Sequence, residues 1–373
     1  MVTASLLVSG CGSSSPEDSS ADNPLLYENL TFTSRLLIDG YAANGTIIRN
    51  CTFIDIADDA ILLRDVNEVT IENCTFTNCG GHAAIRLSSY GSTDQVIITG
   101  NTIIDSPGNG IVAGNYESDG HQHTNVTISN NTIHNSGLGS PYSGLTHHIY
   151  VQAPDALIEG NVLSGTRDGN GISIRSSGIV RNNRISGHSL GGGKSAIRYY
   201  SDHRRGPLNR LLIENNMVDN RDGPSELITI FEPAEHYDGE SDHVVEHIII
   251  RFNTSISTHS AKPSVRIDGG YAADPYVIEI YGNLLVNTVD NLFIYSNGPL
   301  VPQTEIDNLT MTDLTGFAGA DDFHLLDGHP AIGHVDEVSE FPADDIDGDQ
   351  RLGPILDAGA DQTVASVLLN ANS

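Results

Sequence analysis

Tryptophan is absent from the 373 residues, and lysine occurs only at 194 and 262. The four cysteines include no repeated Cys-x-x-Cys spacing, so a zinc centre of the usual kind is excluded. Basic residues number 18 against 48 acidic ones, for a formal net charge of -30. A broad basic face of the sort nucleic acid requires is therefore missing, and no nucleic-acid partner is expected. No apolar run is long enough to span a bilayer. What is plentiful is glycine (38 residues), asparagine and short β-branched runs. That composition suits many short strands joined by tight turns.

A repeat organises the chain. The segments IIRNCTFID (from Ile47), TIENCTFTN (Thr70), IITGNTIID (Ile97), TISNNTIHN (Thr127), LIEGNVLSG (Leu157), IVRNNRISG (Ile179), LIENNMVDN (Leu212), IIRFNTSIS (Ile249) and EIYGNLLVN (Glu279) align without gaps. Their shared Ile or Val recurs at steps of 22 to 37 residues. Three positions further on stand Cys51, Cys74, Asn101, Asn131, Asn161, Asn183, Asn216, Asn253 and Asn283. Fixed strands with variable insertions describe a solenoid whose coils stack on one another. Stacked Asn side chains at a turn can hydrogen-bond along a ladder and satisfy turn backbone groups. A second strand follows each turn: AILLRD, AIRLSS, GIVAG, HIYVQ, GISIRS, AIRYYS, LITIFE, SVRIDG and LFIYSN. Alternate residues are apolar, so one side of each strand packs inside the coil.

These segments resemble the right-handed parallel β-helix family of extracellular polysaccharide lyases, epimerases and hydrolases, over roughly residues 25 to 300. The expected fold is all-β, a single-stranded right-handed parallel β-helix. Ala4 to Cys11 (ASLLVSGC) resembles the end of a bacterial lipoprotein signal, in which Cys11 would carry the lipid, although no Lys or Arg precedes it. The expected organisation is a signal remnant and tether at 1–23, a β-helix at 24–300 and a closing segment at 301–373 that covers the open end of the solenoid. Such a chain would be a monomer of the bacterial cell envelope or exterior, an outer-membrane lipoprotein touching the membrane only through a lipid at Cys11. With Cys11 so used, Cys51, Cys74 and Cys79 remain. Cys51 and Cys74 fall on adjacent rungs, where a disulfide and two stacked thiols fit equally well. In the closing segment, Asp345, Asp347 and Asp349 with Gly348 form half a calcium loop with no Glu at the twelfth position. A turn salt-bridged to Arg351 is the expectation there. No cofactor is required, and a structural Ca²⁺ is the one ion for which the sequence leaves room.

One stretch departs from the acidic background. Residues 167–210 hold nine of the 18 basic residues and two of the 48 acidic ones. A basic island concentrates and neutralises an anionic ligand. Taking Ile149, Ile172 and Ile197 as the inward residues, Tyr150, Ser173 and Arg198 point outward on three successive rungs. Gln152, Arg175 and Tyr200 form the next outward column, and His148, Gly171 and Ala196 the one before. Tyr150 and Arg198 are then two rungs, about 10 Å, apart. Lys194 lies in the same region, beside Arg198, where neighbouring cations lower its pKa. Arg86 and Arg266 extend the column as further substrate contacts, and His203, Arg204 and Arg205 form a wall. His147 and His148 are adjacent strand residues, so one faces in and one out, and no metal centre is expected.

This set suits β-elimination on a uronic acid. Arg175 or Arg198 neutralises the carboxylate, Lys194 or His148 takes the C5 proton, and Tyr150 protonates the leaving oxygen. A metal-free Tyr and Lys pairing resembles some alginate lyases of this fold. Other alginate and chondroitin lyases use Lys and Arg on neighbouring coils, where this chain has Arg175 and Arg198 and lacks the acidic calcium ligands. The expected function is a lyase on an anionic, alginate-like polysaccharide. A C5-epimerase would use the same groups. A glycoside hydrolase would need two carboxylates about 5–10 Å apart, for which Asp55, Asp58 and Asp59 are the candidates. A non-catalytic protein binding acidic glycans would need the arginines alone.

Overall fold

The computed structural model describes residues 24–363 apart from 115–119, 138–144, 168, 188–193, 202–207, 222–225, 232–244, 258–262, 270–275, 288–291, 297–302, 320, 337, 339 and 353–354. Cys11, His203, Arg204 and Arg205 lie outside the described residues. Each coil contributes three short strands, as in Thr70–Glu72, Thr75–Thr77 and Ala83–Leu87. Among the described residues, stacked coils build three parallel sheets of 12, 11 and 10 strands, here called the first, second and third in chain order around the coil. No α-helix occurs among the described residues, and no helix is long and apolar enough to cross a membrane.

The register is the one the repeat predicts. Ile48, Ile71, Ile98, Ile128, Ile158, Val180, Ile213, Ile250 and Ile280 pair rung to rung along the first sheet. All are fully buried, and each such side chain contributes about 1.5–3 kcal/mol. In the second sheet Phe32, Phe53 and Phe76 stack with ring centroids 4.7 Å apart, which is the rung spacing itself.

A two-residue turn joins the first sheet to the second on all eleven coils. Its first residue always has positive φ: Asn29, Asn50, Asn73, Gly100, Asn130, Gly160, Asn182, Asn215, Phe252, Gly282 and Asp307. Gly, Asn and Asp reach that region at least cost. Its second residue carries the ladder. The backbone N–H of Asn161 donates to Asn183 Oδ1 at 3.0 Å, its Nδ2 donates to the same oxygen at 2.9 Å, and Nδ2 also donates to Ile128 O at 3.0 Å. The pattern repeats from Asn101 to Asn283 and ends on Asn308, one rung beyond the predicted series. At the other end Cys51 N–H meets Cys74 Sγ at 3.4 Å, and both thiols are free. Burial pushes the Cys74 thiol up to about 12.

The C-terminal segment corrects two expectations. Its described residues lie along the flank of the later coils rather than across the open end. Phe317, Phe323, Leu325 and Leu356 pack on Leu212, Ile249, Phe252 and Leu284, outward residues of the first and second sheets and their turn. Arg351 forms no salt bridge with the aspartate turn. Its guanidinium is buried, donates to Asp357 O, Gly359 O, Gln362 Oε1 and Asn215 Oδ1, and lies 4.6 Å over the Phe252 ring. Phe252 is the one bulky residue among the eleven left-handed positions, a conformation costing about 1–2 kcal/mol; burying its ring beneath the segment offsets that cost. Asp345 closes its own turn by accepting the N–H groups of Asp347 and Asp349, both at 2.9 Å.

Candidate active site

The outward column of the third sheet is as predicted: Tyr150 pairs with Ser173, and Ser173 with Arg198. Arg86 and Arg266 continue it at either end through Val112 and Thr229. Side chains of this column and the next form an alternating stack along the solenoid. The His147 ring lies parallel to Tyr150 at 5.7 Å, and Arg175 sits 5.2 Å from the Tyr150 centroid and 4.4 Å from that of Tyr200. Arg198 lies 6.0 Å from Tyr200 and 4.6 Å from Phe231. Each cation lies within cation–π range of the rings beside it, which helps to hold both guanidinium planes in the stack.

His148 does not belong to this surface. It is fully buried, and its Nδ1 meets Ser136 Oγ at 3.0 Å. Strand alternation begins only at Ile149; the chain is still rounding the corner at 148, so His148 and Ile149 both turn inward. Gly171 shares that fate: a Cβ there would meet Ile185 of the core and Ala196 O. Of the two histidines, His147 faces the cleft. Its Nδ1 accepts the Asn170 N–H at 2.9 Å, which leaves Nε2 as the protonated nitrogen of a neutral ring. His147 is thus a hydrogen-bond donor, not a base.

A cavity of about 240 Å³ opens beside the stack, lined by Arg86, Asn109, His147, Tyr150, Gln152 and Arg175 among others. Gly114 also lines it, and a Cβ there would approach Tyr150 Cε1 to 2.8 Å. Among the described residues, no carboxylate lines this cavity. Larger hollows elsewhere lie in the seam beneath the C-terminal segment, where charged groups already pair, as Arg210 does with Glu340 and His247 with Glu279. The expected outer contacts are more committed than the centre. Arg86 meets Asp59 at 3.4 Å, and Arg266 meets Asp268 at 2.9 Å. By contrast, no carboxylate among the described residues pairs with Arg175 or Lys194. Lys194 is half-buried, and burial, then Arg198 and Arg175, lowers its pKa.

The hydrolase candidates are occupied structurally. Asp59 is buried and accepts the N–H groups of His82 and Ala83. Asp58 pairs with Arg35, and Asp55 sits in a left-handed turn accepting Asn78 Nδ2 at 2.8 Å.

Burial, then the charges of Arg175, Lys194 and Arg198, pushes His147 down to about 3. In the unfolded chain it titrates near 6.5. Between these values the unfolded state binds a proton that the folded state refuses, so this contribution destabilises the fold increasingly as pH falls from 6.5 towards 3. His147→Gln is expected to flatten the acid limb by on the order of a few kcal/mol, read from urea unfolding at neutral and mildly acidic pH. Equal acid sensitivity of variant and parent would refute this.

The coil geometry and the side-chain stack define an all-β protein, a right-handed parallel β-helix with a cationic aromatic cleft on its third sheet. A family model described as a right handed beta helix region matches residues 19–122. No curated protein matches the chain. Among solved structures, the tailspike protein of E. coli bacteriophage HK620 in complex with a pentasaccharide is similar at 13% identity and a TM-score of 0.52, over 75% of this chain and 55% of that one. A double mutant of the same tailspike, also with pentasaccharide, gives 13% identity and a TM-score of 0.50 over the same shares. At that identity the likeness is one of fold, and this chain spans about half the length of the tailspike chains.

Proposed function

We propose that the chain is a polysaccharide lyase cleaving a uronic-acid-containing, alginate-like glycan by β-elimination. The observation that carries this reading is the placement of Arg175 and Lys194, which have no carboxylate partner among the described residues, near Tyr150 in a cleft whose cavity shows no acid among those residues to act as a hydrolase pair. That the tailspike is seen with a pentasaccharide supports a glycan as the ligand class.

Arg175, with Arg198 on the next coil, neutralises the substrate carboxylate and so acidifies the C5 proton. The neutral Lys194 amine takes that proton. The electron pair left on C5 forms the C4–C5 double bond, and the C4–oxygen bond breaks. Tyr150 donates its proton to the departing glycosidic oxygen. His147, fixed with its proton on Nε2, donates a hydrogen bond that orients the sugar. The test is incubation with alginate and other uronans, followed by the ultraviolet absorbance of unsaturated uronate. A rise is expected on at least one uronan. New reducing ends without that absorbance would replace the lyase by a hydrolase, and solvent proton exchange at C5 without chain cleavage would replace it by an epimerase.

A further inference from the structure

We propose that His324, Asp347 and Asp361 form a binding site for a divalent transition cation of the Zn²⁺ type, against the sequence expectation of no metal. One ligand atom from each lies within 4.8 Å of the others. The three come from separate parts of the C-terminal segment, so an ion there ties that segment together.

Asp361 is a buried residue, yet among the described residues its carboxylate accepts one hydrogen bond, from the Leu325 N–H at 2.9 Å, and no Arg or Lys among them pairs with it. A buried carboxylate held by one neutral donor lacks its compensating charge. His324 supplies the second argument. Its Nδ1 faces Asp322, while its Nε2 faces the Asp347 and Asp361 side. A histidine that donates one ring N–H to a carboxylate and turns its other nitrogen to a shared point has the orientation of a metal ligand with its outer partner. Asp347 is oriented too: Arg184 of the second sheet holds Oδ1 at 2.7 Å, which leaves Oδ2, 2.9 Å from His324 Nε2, on the side of the cluster. One imidazole and two carboxylates suit Zn²⁺ or Mn²⁺, whereas Ca²⁺ takes an all-oxygen shell. Tetrahedral bonds of about 2.0–2.2 Å need only small side-chain shifts from these positions.

The competing account is a histidinium shared by Asp322 and Asp347, with no ion. Calorimetric titration of the full chain at neutral pH separates the two. Zn²⁺ is expected to bind at one equivalent and to raise the melting temperature, and Ca²⁺ at the same concentration to do neither. Asp361→Asn should weaken Zn²⁺ binding at least about a hundredfold, and Asp322→Asn about ten- to a hundredfold. Should Asp361→Asn fail to fold, the exposed His324→Gln gives the same reading. No Zn²⁺ binding at micromolar concentration, or tight binding that survives both Asp361→Asn and His324→Gln, would overturn the site.

Discussion

Lys194→Arg is expected to lower turnover on a uronan about a thousandfold while leaving binding within a few-fold, the usual scale for losing a general base. The substitution keeps the positive charge but installs a group that stays protonated at working pH. The argument rests on where the amine sits. It is half-buried, and Arg198 and Arg175 face it, so the neutral form is reached below the ordinary lysine range. In the parent, kcat/KM should therefore rise with pH along a limb centred below that range, and Lys194→Arg should remove the limb. Stopped-flow absorbance across pH, with binding of a non-cleavable oligouronate measured in parallel, reads both quantities. An active Lys194→Arg variant would reduce Lys194 to a carboxylate contact and move the base to another residue, Tyr150 first among them.

Asn183→Ala is expected to cost about 3–5 kcal/mol, enough to unfold a marginal domain. The side chain makes several buried bonds at once. Its Oδ1 accepts the backbone N–H and the Nδ2 of Asn161, and its Nδ2 donates to Asn216 Oδ1 and Ile158 O, all at 2.9–3.0 Å. Truncation takes the side-chain acceptor from the Asn161 backbone N–H and one partner each from Asn161 Nδ2, Asn216 Oδ1 and Ile158 O where water does not reach, at about 1–3 kcal/mol for a group left unsatisfied, with partial relaxation. Cys51→Ala, at the first rung of the series, should cost far less, because a thiol is a weak acceptor and donor. Urea unfolding of the two variants gives the comparison. A loss below about 1 kcal/mol for Asn183→Ala would mean that the ladder is ornamental to stability.

The fold was legible because strand alternation and the turn both leave one-letter marks. One inward Ile or Val per segment, with Asn or Cys three positions on, placed nine rungs of the first sheet in their observed register. Asn308 escaped because its strand, Gln303–Ile306, has no apolar residue at the inward position: Glu305 pairs with Ile280 there. The candidate site was legible where alternation holds and illegible where it stops. Tyr150, Arg175, Arg198 and Tyr200 all lie at or beside regular strand positions. His147 precedes the strand, at a corner where direction depends on local bending, so the wrong histidine was favoured. Phe231 had a usable signal, since it occupies in LITIFE the position of Tyr200 in AIRYYS, one rung on. The docking of the C-terminal segment left no comparable mark, because the contacts that seat it join residues about a hundred positions apart, such as Ala360 N–H with Thr254 Oγ1.

The turn between the first and second sheets keeps two residues on every coil, while the other two corners vary widely: Ser136 is separated from Ile149, and Phe231 from Val245, by a dozen residues or more. Both variable corners border the third sheet. The invariant corner therefore acts as a datum from which each coil is measured. A residue added at either variable corner lengthens that coil alone and leaves every rung in register, so the two corners can change length independently of the stack.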